Sequence, residues 1–212
     1  MRGVWFLKRG LWVDEKEWNV SELILVRHGA TEANQSGRYC GRLDPPLTEA
    51  GLAAVRETAR QLIAFRPKRV YCSESLRTRQ TAAVIAPGTE LIFLPSLREI
   101  DFGAFEGLSA DDIQRRMPEL WRSYIENYRH FTFPDGDNVE KYLTKSAETI
   151  KAIVEESNHK DILIVSHKGF ILSAISYLLH GDSDHIFCYD IRPAGYAKVA
   201  FTGGIPVLKQ LV

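Results

Sequence analysis

The chain has 212 residues, with 27 Lys and Arg balanced by 27 Asp and Glu and 45% hydrophobic side chains, the profile of an ordinary α/β globule. A formal net charge of zero supplies no global field to attract nucleic acid or an anionic membrane, so any affinity for anions must be local. Three scattered cysteines, Cys40, Cys72 and Cys188, show no Cys-x-x-Cys spacing, which argues against a disulfide framework and a structural zinc site and for a reduced, cytoplasmic setting.

Residues 1–20 carry Trp5, Trp12 and Trp18 and read as an N-terminal extension, with Val4 to Leu7 and Leu11 to Val13 able to pair across Gly10 as a short hairpin. Their longest apolar run is too short for a signal-peptide core. Residues 21–212 read as one domain. Leu23 to Val26 is a continuous β-rich run that suits a strand buried on both faces, ending at Arg27. Leu47 and Thr48 open a helix whose apolar positions Leu52, Val55, Ala59, Leu62 and Ile63 recur at helical spacing, and Pro67 follows its end. Arg69 to Cys72 predicts a second strand, Ser75 the start of a helix to Ala86, and Thr89 to Leu94 a third strand.

The rhythm breaks over residues 101–138, which read as an insertion: two short helical pieces, Ser109 to Arg116 and Pro118 to Tyr128, and an aromatic cluster of Trp121, Tyr124, Tyr128, Phe131 and Phe133 that packs on its own core. Asp137 with Glu140 resembles a capping box opening a helix from Val139 to about Ser157. Ile162 to Val165 is the next buried strand. The helix from Gly169 to Leu179 is too short and too interrupted, by Ser173 and Ser176, to span a membrane. Ala197 to Phe201, Gly203, Gly204 and Pro206 to Leu211 predict a closing hairpin. The expected fold class is a three-layer α/β/α sandwich around a mostly parallel sheet.

Two strands end in an imidazole, His28 and His167, and ligands bind at the carboxyl ends of strands in open α/β sheets. A neutral imidazole attacks phosphorus competently when cations hold the equatorial oxygens, a task suited to the forked guanidinium groups of Arg27 and Arg77. The departing alcohol needs a proton. Glu99, after the third strand, is placed to give it, with Asp101 as competitor and Phe102 and Phe105 as the apolar half of its surroundings. Arg38, Arg42 and Arg79 read as structural ion-pair partners before phosphate contacts, and His130, His159, His180 and His185, lacking ligand spacing, as solvated or capping residues.

Over residues 22 to about 170 these motifs resemble the histidine phosphatase superfamily, in the branch of cofactor-dependent phosphoglycerate mutases and their phosphatase relatives. Leu25 to Gly29 is similar to that family's LxRHG signature, Ser73 to Thr81 to the element that supplies its second phosphate-binding Arg, and Ser166 to Gly169 to the segment of its second histidine. The resemblance implies His28 as the residue that becomes phosphohistidine and Glu99 as the general acid. Arg27, Asn34, Arg77 and His167 become phosphate ligands, and Cys40 and Gly41 lie in a loop that touches substrate. It implies neither metal nor cofactor, a small-molecule phosphomonoester as partner, no nucleic acid or membrane partner, and it allows a homodimer.

Phe102 and Ala110 stand where the mutases use Tyr and Lys to hold a carboxylate, which favours hydrolysis over the rival phosphoglycerate mutase activity. A third reading, a non-catalytic phospho-ligand binder, does not need the proton donor that Glu99 provides. Leu97 to Gly107 and the loop from Gly37 to Leu47 resemble α-ribazole 5′-phosphate phosphatases of cobalamin biosynthesis. Lys168 replaces a common Gly after the second histidine, either to reach substrate or to face solvent, and Asp137 and Asn138 replace a common Glu-Ser pair.

Overall fold

The computed structural model describes residues 21–157 and 161–212. The expected N-terminal extension with its hairpin, and His159, lie outside the described residues. Six strands form one sheet: β1 (Glu22–Arg27), β2 (Arg69–Cys72), β3 (Leu91–Phe93), β4 (Ile162–Ser166), β5 (Tyr196–Thr202) and β6 (Ile205–Leu211), in the order β3-β2-β4-β1-β5-β6. The first four run parallel, and the β5–β6 hairpin closes the sheet antiparallel against β1.

The alternation of side chains along each strand assigns its residues to two cores. Leu23 and Leu25 of β1, Tyr71 of β2, and Ile162 and Ile164 of β4 face one side. There they pack against α6 (Val139–Glu155) and α7 (Lys168–His180). Ile24, Val26, Val70, Cys72, Leu163 and Val165 face the other, where Ala82, Ile85 and Leu62 belong to α3 (Leu76–Ile85) and the end of α2 (Glu49–Gln61). Because every residue of β4 is buried, it reads in sequence as an uninterrupted apolar run.

Several expectations shift in detail. Ile63 lies beyond the end of α2 and is 69% exposed, so the apolar stripe of that helix is narrower than its spacing implied. The third strand is a three-residue edge strand, and a 3₁₀ turn from Pro95 to Leu97 carries the chain onward before Glu99. Asn138, not Asp137, caps α6 by accepting from Lys141 N; Asp137 is drawn instead into a bidentate pair with Arg98. The segment read as an insertion, residues 101–138, contains α4 (Ala110–Arg116) and α5 (Pro118–Glu126), the two short helices expected there. Its aromatic residues do not make a separate core: Phe131 and Phe133 join Phe105 and the α6–α7 side of the sheet, with Tyr124 edge-on to Phe105.

Candidate active site

Strand register brings the two imidazoles together. Arg27 pairs with Ser166 across β1 and β4, so the next residue of each strand, His28 and His167, leaves the sheet beside the other. Their ring centroids are 5.2 Å apart. The turn after His28 is held by close approach to α2: a Cβ on Gly29 would lie 2.7 Å from Val55 Cγ2, and one on Gly51 only 2.2 Å from the Ala30 carbonyl oxygen. Gly29 N donates to Thr81 Oγ1, Ala194 N donates to the His28 carbonyl, and Thr58 Oγ1 in turn donates to the Ala194 carbonyl.

Hydrogen bonding defines both tautomers. His28 Nδ1 lies 2.8 Å from the Gly29 carbonyl, which only accepts; the proton therefore sits on Nδ1 and Nε2 keeps its lone pair. Burial, then the charges of Arg77 and Arg27, push the His28 pKa down to about 3. Arg77 Nη2 can only donate, so His167 Nδ1 accepts from it at 3.2 Å, and His167 Nε2–H donates to Ser73 Oγ at 2.9 Å. Burial, followed by His28 and the two arginines, holds His167 well below its ordinary value as well. Both rings are neutral near pH 7.

Two guanidinium groups flank the pair. Arg77, 1% exposed, donates to the carbonyls of Leu43 and Gly41 besides His167. Arg27 Nη1 donates to the Ile191 carbonyl; burial lowers its pKa against the opposing charges of Glu99 and Asp190. In both arginines the Nε–H is buried and has no hydrogen-bond partner among the described residues.

Glu99 accepts three hydrogen bonds: Oε1 from Ile100 N and the Tyr142 hydroxyl, Oε2 from Gly169 N at the start of α7. Asp101 does not compete with it, because its carboxylate is taken by Arg42 and Gly103 N. Nor do Phe102 and Phe105 surround Glu99. Both rings turn into the aromatic cluster, against Tyr39 and Phe133. A cleft of about 410 Å³ is lined by Gly41, Ser73, Pro95, Glu99 and His167, among others, which opens the site to solvent.

The remaining sequence candidates lie at varying distances from this centre. Gly41 borders the cleft, and its N–H is held by Glu106. The Cys40 thiol donates to the Leu43 carbonyl, and burial raises its pKa. Asn34 spends its side-chain oxygen on Thr31 N–H and O–H, in the capping box of α1 (Glu32–Gln35). Arg38 and Arg42 pair with Asp112 and Asp101, and Arg79 lies over the Phe93 ring. Lys168 neither reaches into the cleft nor stands free: it pairs with Asp190.

Sequence reasoning overlooked Tyr142, Ser73 and Glu106. The Glu106 carboxylate accepts from the N–H groups of Gly41, Arg42, Leu43 and Phe102, tying the loop above the imidazoles to the segment carrying Glu99. Its one sequence signal is its place beside Gly107 in the Leu97 to Gly107 run.

A mixed sheet with two neutral strand-end imidazoles between arginines, and a carboxyl on the facing loop, defines a phosphomonoesterase. The histidine phosphatase superfamily (branch 1) model matches residues 23–212, and the chain belongs to that family. It is 29% identical over 192 residues to the adenosylcobalamin/alpha-ribazole phosphatase of Salmonella typhimurium, covering 89% of this chain and 95% of that protein. It is 30% identical over 164 residues to the metal-independent phosphoserine phosphatase of Arabidopsis thaliana, covering 75% and 68%. The crystal structure of the alpha-ribazole phosphatase from Shigella flexneri superposes with a TM-score of 0.82 at 25% identity, over 90% of this chain and 95% of that one. Among the described residues no helix is long and apolar enough to cross a membrane.

Proposed function

We propose that residues 21–212 form the catalytic unit of a cytoplasmic enzyme that hydrolyses small phosphate monoesters through a phosphohistidine at His28. The observation that carries this reading is the His28 tautomer. A ring whose Nδ1–H is held by its own Gly29 carbonyl, and whose protonation is suppressed by burial and two arginines, presents a nucleophilic Nε2 at neutral pH.

In the first step Nε2 forms the N–P bond as the ester P–O bond breaks, and Glu99 gives its proton to the leaving oxygen. In the second, Glu99 takes a proton from water, the resulting oxygen attacks phosphorus, and the N–P bond returns its electron pair to Nε2. Arg27 and Arg77 hold the equatorial oxygens. Their Nε–H groups, buried and without a partner among the described residues, support this role, since a buried donor without an acceptor costs about 1–3 kcal/mol and a phosphoryl oxygen would recover it. Three free cysteines, with Cys72 buried, suit a reducing compartment.

For the substrate, relatives named for alpha-ribazole phosphate and for phosphoserine make these the first compounds to assay. A panel of α-ribazole 5′-phosphate, phosphoserine, sugar phosphates and 3-phosphoglycerate, run with wild type and His28→Ala, tests the proposal. Wild type is expected to release phosphate and to carry acid-labile, base-stable phosphate after a rapid quench; His28→Ala should do neither. Undiminished turnover by His28→Ala overturns the nucleophile, and interconversion of phosphoglycerates without phosphate release overturns the hydrolase.

A further inference from the structure

The hydroxyl of Tyr142 touches the proton-transfer carboxyl and has no part in the scheme above. Tyr142 lies one turn into α6 and is 8% exposed, with its ring in the core that α6 shares with α7 and the sheet. A phenylalanine would fill the same space. The hydroxyl must instead be satisfied at depth, and it has two acceptors, the Arg98 carbonyl at 3.2 Å and Glu99 Oε1 at 3.1 Å. The contact is crowded by design of the backbone: a Cβ on Gly169 would lie 2.3 Å from Glu99 Oε1 and 3.1 Å from the Tyr142 oxygen, so only glycine there leaves carboxylate and hydroxyl in place.

We infer that Tyr142 is a positioning residue for proton transfer, its hydroxyl fixing the rotamer from which Glu99 gives and takes the proton. The inference rests on the general acid–base role proposed for Glu99. A hydroxyl that donates to a carboxyl oxygen stabilises the charged form over the protonated one. Tyr142→Phe removes that bias. Phosphorylation of His28 needs the protonated carboxyl, so the high-pH fall of kcat/KM moves upward; hydrolysis of the phosphoenzyme needs the carboxylate, so its low-pH fall moves upward too. A loss of packing alone lowers rates without moving both limbs in one direction.

The other ionisable groups around Glu99 do not confuse this signature. Arg27 on β1 and Arg98 beside it remain cationic, and His167 between β4 and α7 stays neutral because burial, His28 and the arginines suppress its protonation. Burial raises the Cys40 thiol, raises the Tyr142 phenol well above the ordinary range, and pushes Tyr128 up to about 12. Ile100 and Gly169 contribute only backbone N–H groups. Substrate phosphate also titrates near pH 6, identically for every variant.

The experiment compares wild type, Tyr142→Phe and Glu99→Gln from pH 5 to 8.5, measuring steady-state kcat/KM for a phosphomonoester that wild type hydrolyses and, by chemical quench, the hydrolysis rate of the phosphoenzyme. Tyr142→Phe is expected to shift both limbs upward by about one pH unit, because one charge-assisted hydrogen bond is removed. At pH 5.5 this slows phosphoenzyme hydrolysis several-fold. Limbs that coincide with wild type, at any absolute rate, overturn the inference. Should Tyr142→Phe fail to fold, 3-fluorotyrosine at position 142 keeps the shape and strengthens the donor, and both limbs are expected to move downward; unmoved limbs overturn the inference equally. Full activity in Glu99→Gln instead overturns the role of Glu99 itself, which separates the two failures.

Discussion

At the scale of single residues, the site divides into groups that sequence order reveals and groups that only folding assembles. His28, Arg27 and His167 were legible because each sits at the carboxyl end of a buried apolar run, where a polar residue has nowhere to go except the crevice above the sheet. Tyr142, Glu106 and Ser73 were not, because their partners lie 43, 65 and 94 residues away and no local pattern announces such a pair. Glu106 gives a direct test. Four backbone N–H groups converge on its carboxylate, and Glu106→Ala strips them of their charged acceptor at once. The loop is partly solvated, so water recovers part of the loss, and the expected destabilisation is about 1–3 kcal/mol in urea unfolding. Because the freed loop also supplies the carbonyls that hold Arg77, KM should rise more than kcat falls. A fall in kcat with KM unchanged would assign Glu106 to the chemical step instead.

Elements show a similar division. The strands were readable where both faces are buried, as in β1 and β4, and least readable at the sheet edge, where β3 contributes three residues and Ile92 and Phe93 stay exposed. The start of α6 at Val139 was legible, but its cap was misassigned by one residue because Asp137 and Asn138 are both competent caps; the pull of Arg98 and Asp101 N on Asp137 is a tertiary effect that decides between them. The packing of α2 on the turn after His28 was equally hidden, since it depends on two glycines in different elements. Replacing a helical glycine by alanine ordinarily stabilises by roughly 0.5–1 kcal/mol. Gly51→Ala is expected to reverse that sign. Its new methyl would meet the Ala30 carbonyl at 2.2 Å, a backbone atom that cannot rotate away, so α2 must retreat from the turn that holds His28. Thermal unfolding should show a loss of at least 1 kcal/mol together with reduced kcat, whereas Thr48→Ala, which removes the α2 cap and the hydroxyl's bond to the Ala30 carbonyl but adds no atom against the turn, should cost about 1 kcal/mol and lower kcat less. A Gly51→Ala variant as stable as wild type would contradict the close approach.

For the whole molecule, keeping two imidazoles buried and neutral has a cost in acid. Both His28 and His167 are neutral in the folded protein and resist protonation, His28 down to about pH 3, while in the unfolded chain each takes a proton below about 6.5. Their contribution is therefore complete above pH 6.5 and is lost as pH falls, because the unfolded state then binds protons that the folded state refuses. Each histidine lowers the unfolding free energy by about 1.4 kcal/mol per pH unit once well below 6.5. Carboxylates add to acid lability only lower on the scale. Asp137 is an example: burial pushes its pKa up, but the Arg98 pair and Asp101 N outweigh burial and hold it below the ordinary value. The interval between pH 6.5 and 4.5 thus belongs mainly to the two imidazoles. Urea unfolding at pH 7.5, 6.0 and 5.0 should show stability falling with a slope approaching two protons, and His28→Gln should reduce that slope by about one. Inorganic phosphate works in the opposite direction, since a bound anion favours protonated imidazole in the folded state and stabilises by mass action, about 2.7 kcal/mol at a hundred times its Kd. Added phosphate is therefore expected to flatten the acid slope as well as raise stability, and a slope indifferent both to His28 and to phosphate would mean that the imidazoles are not the buried neutral pair that the structure describes.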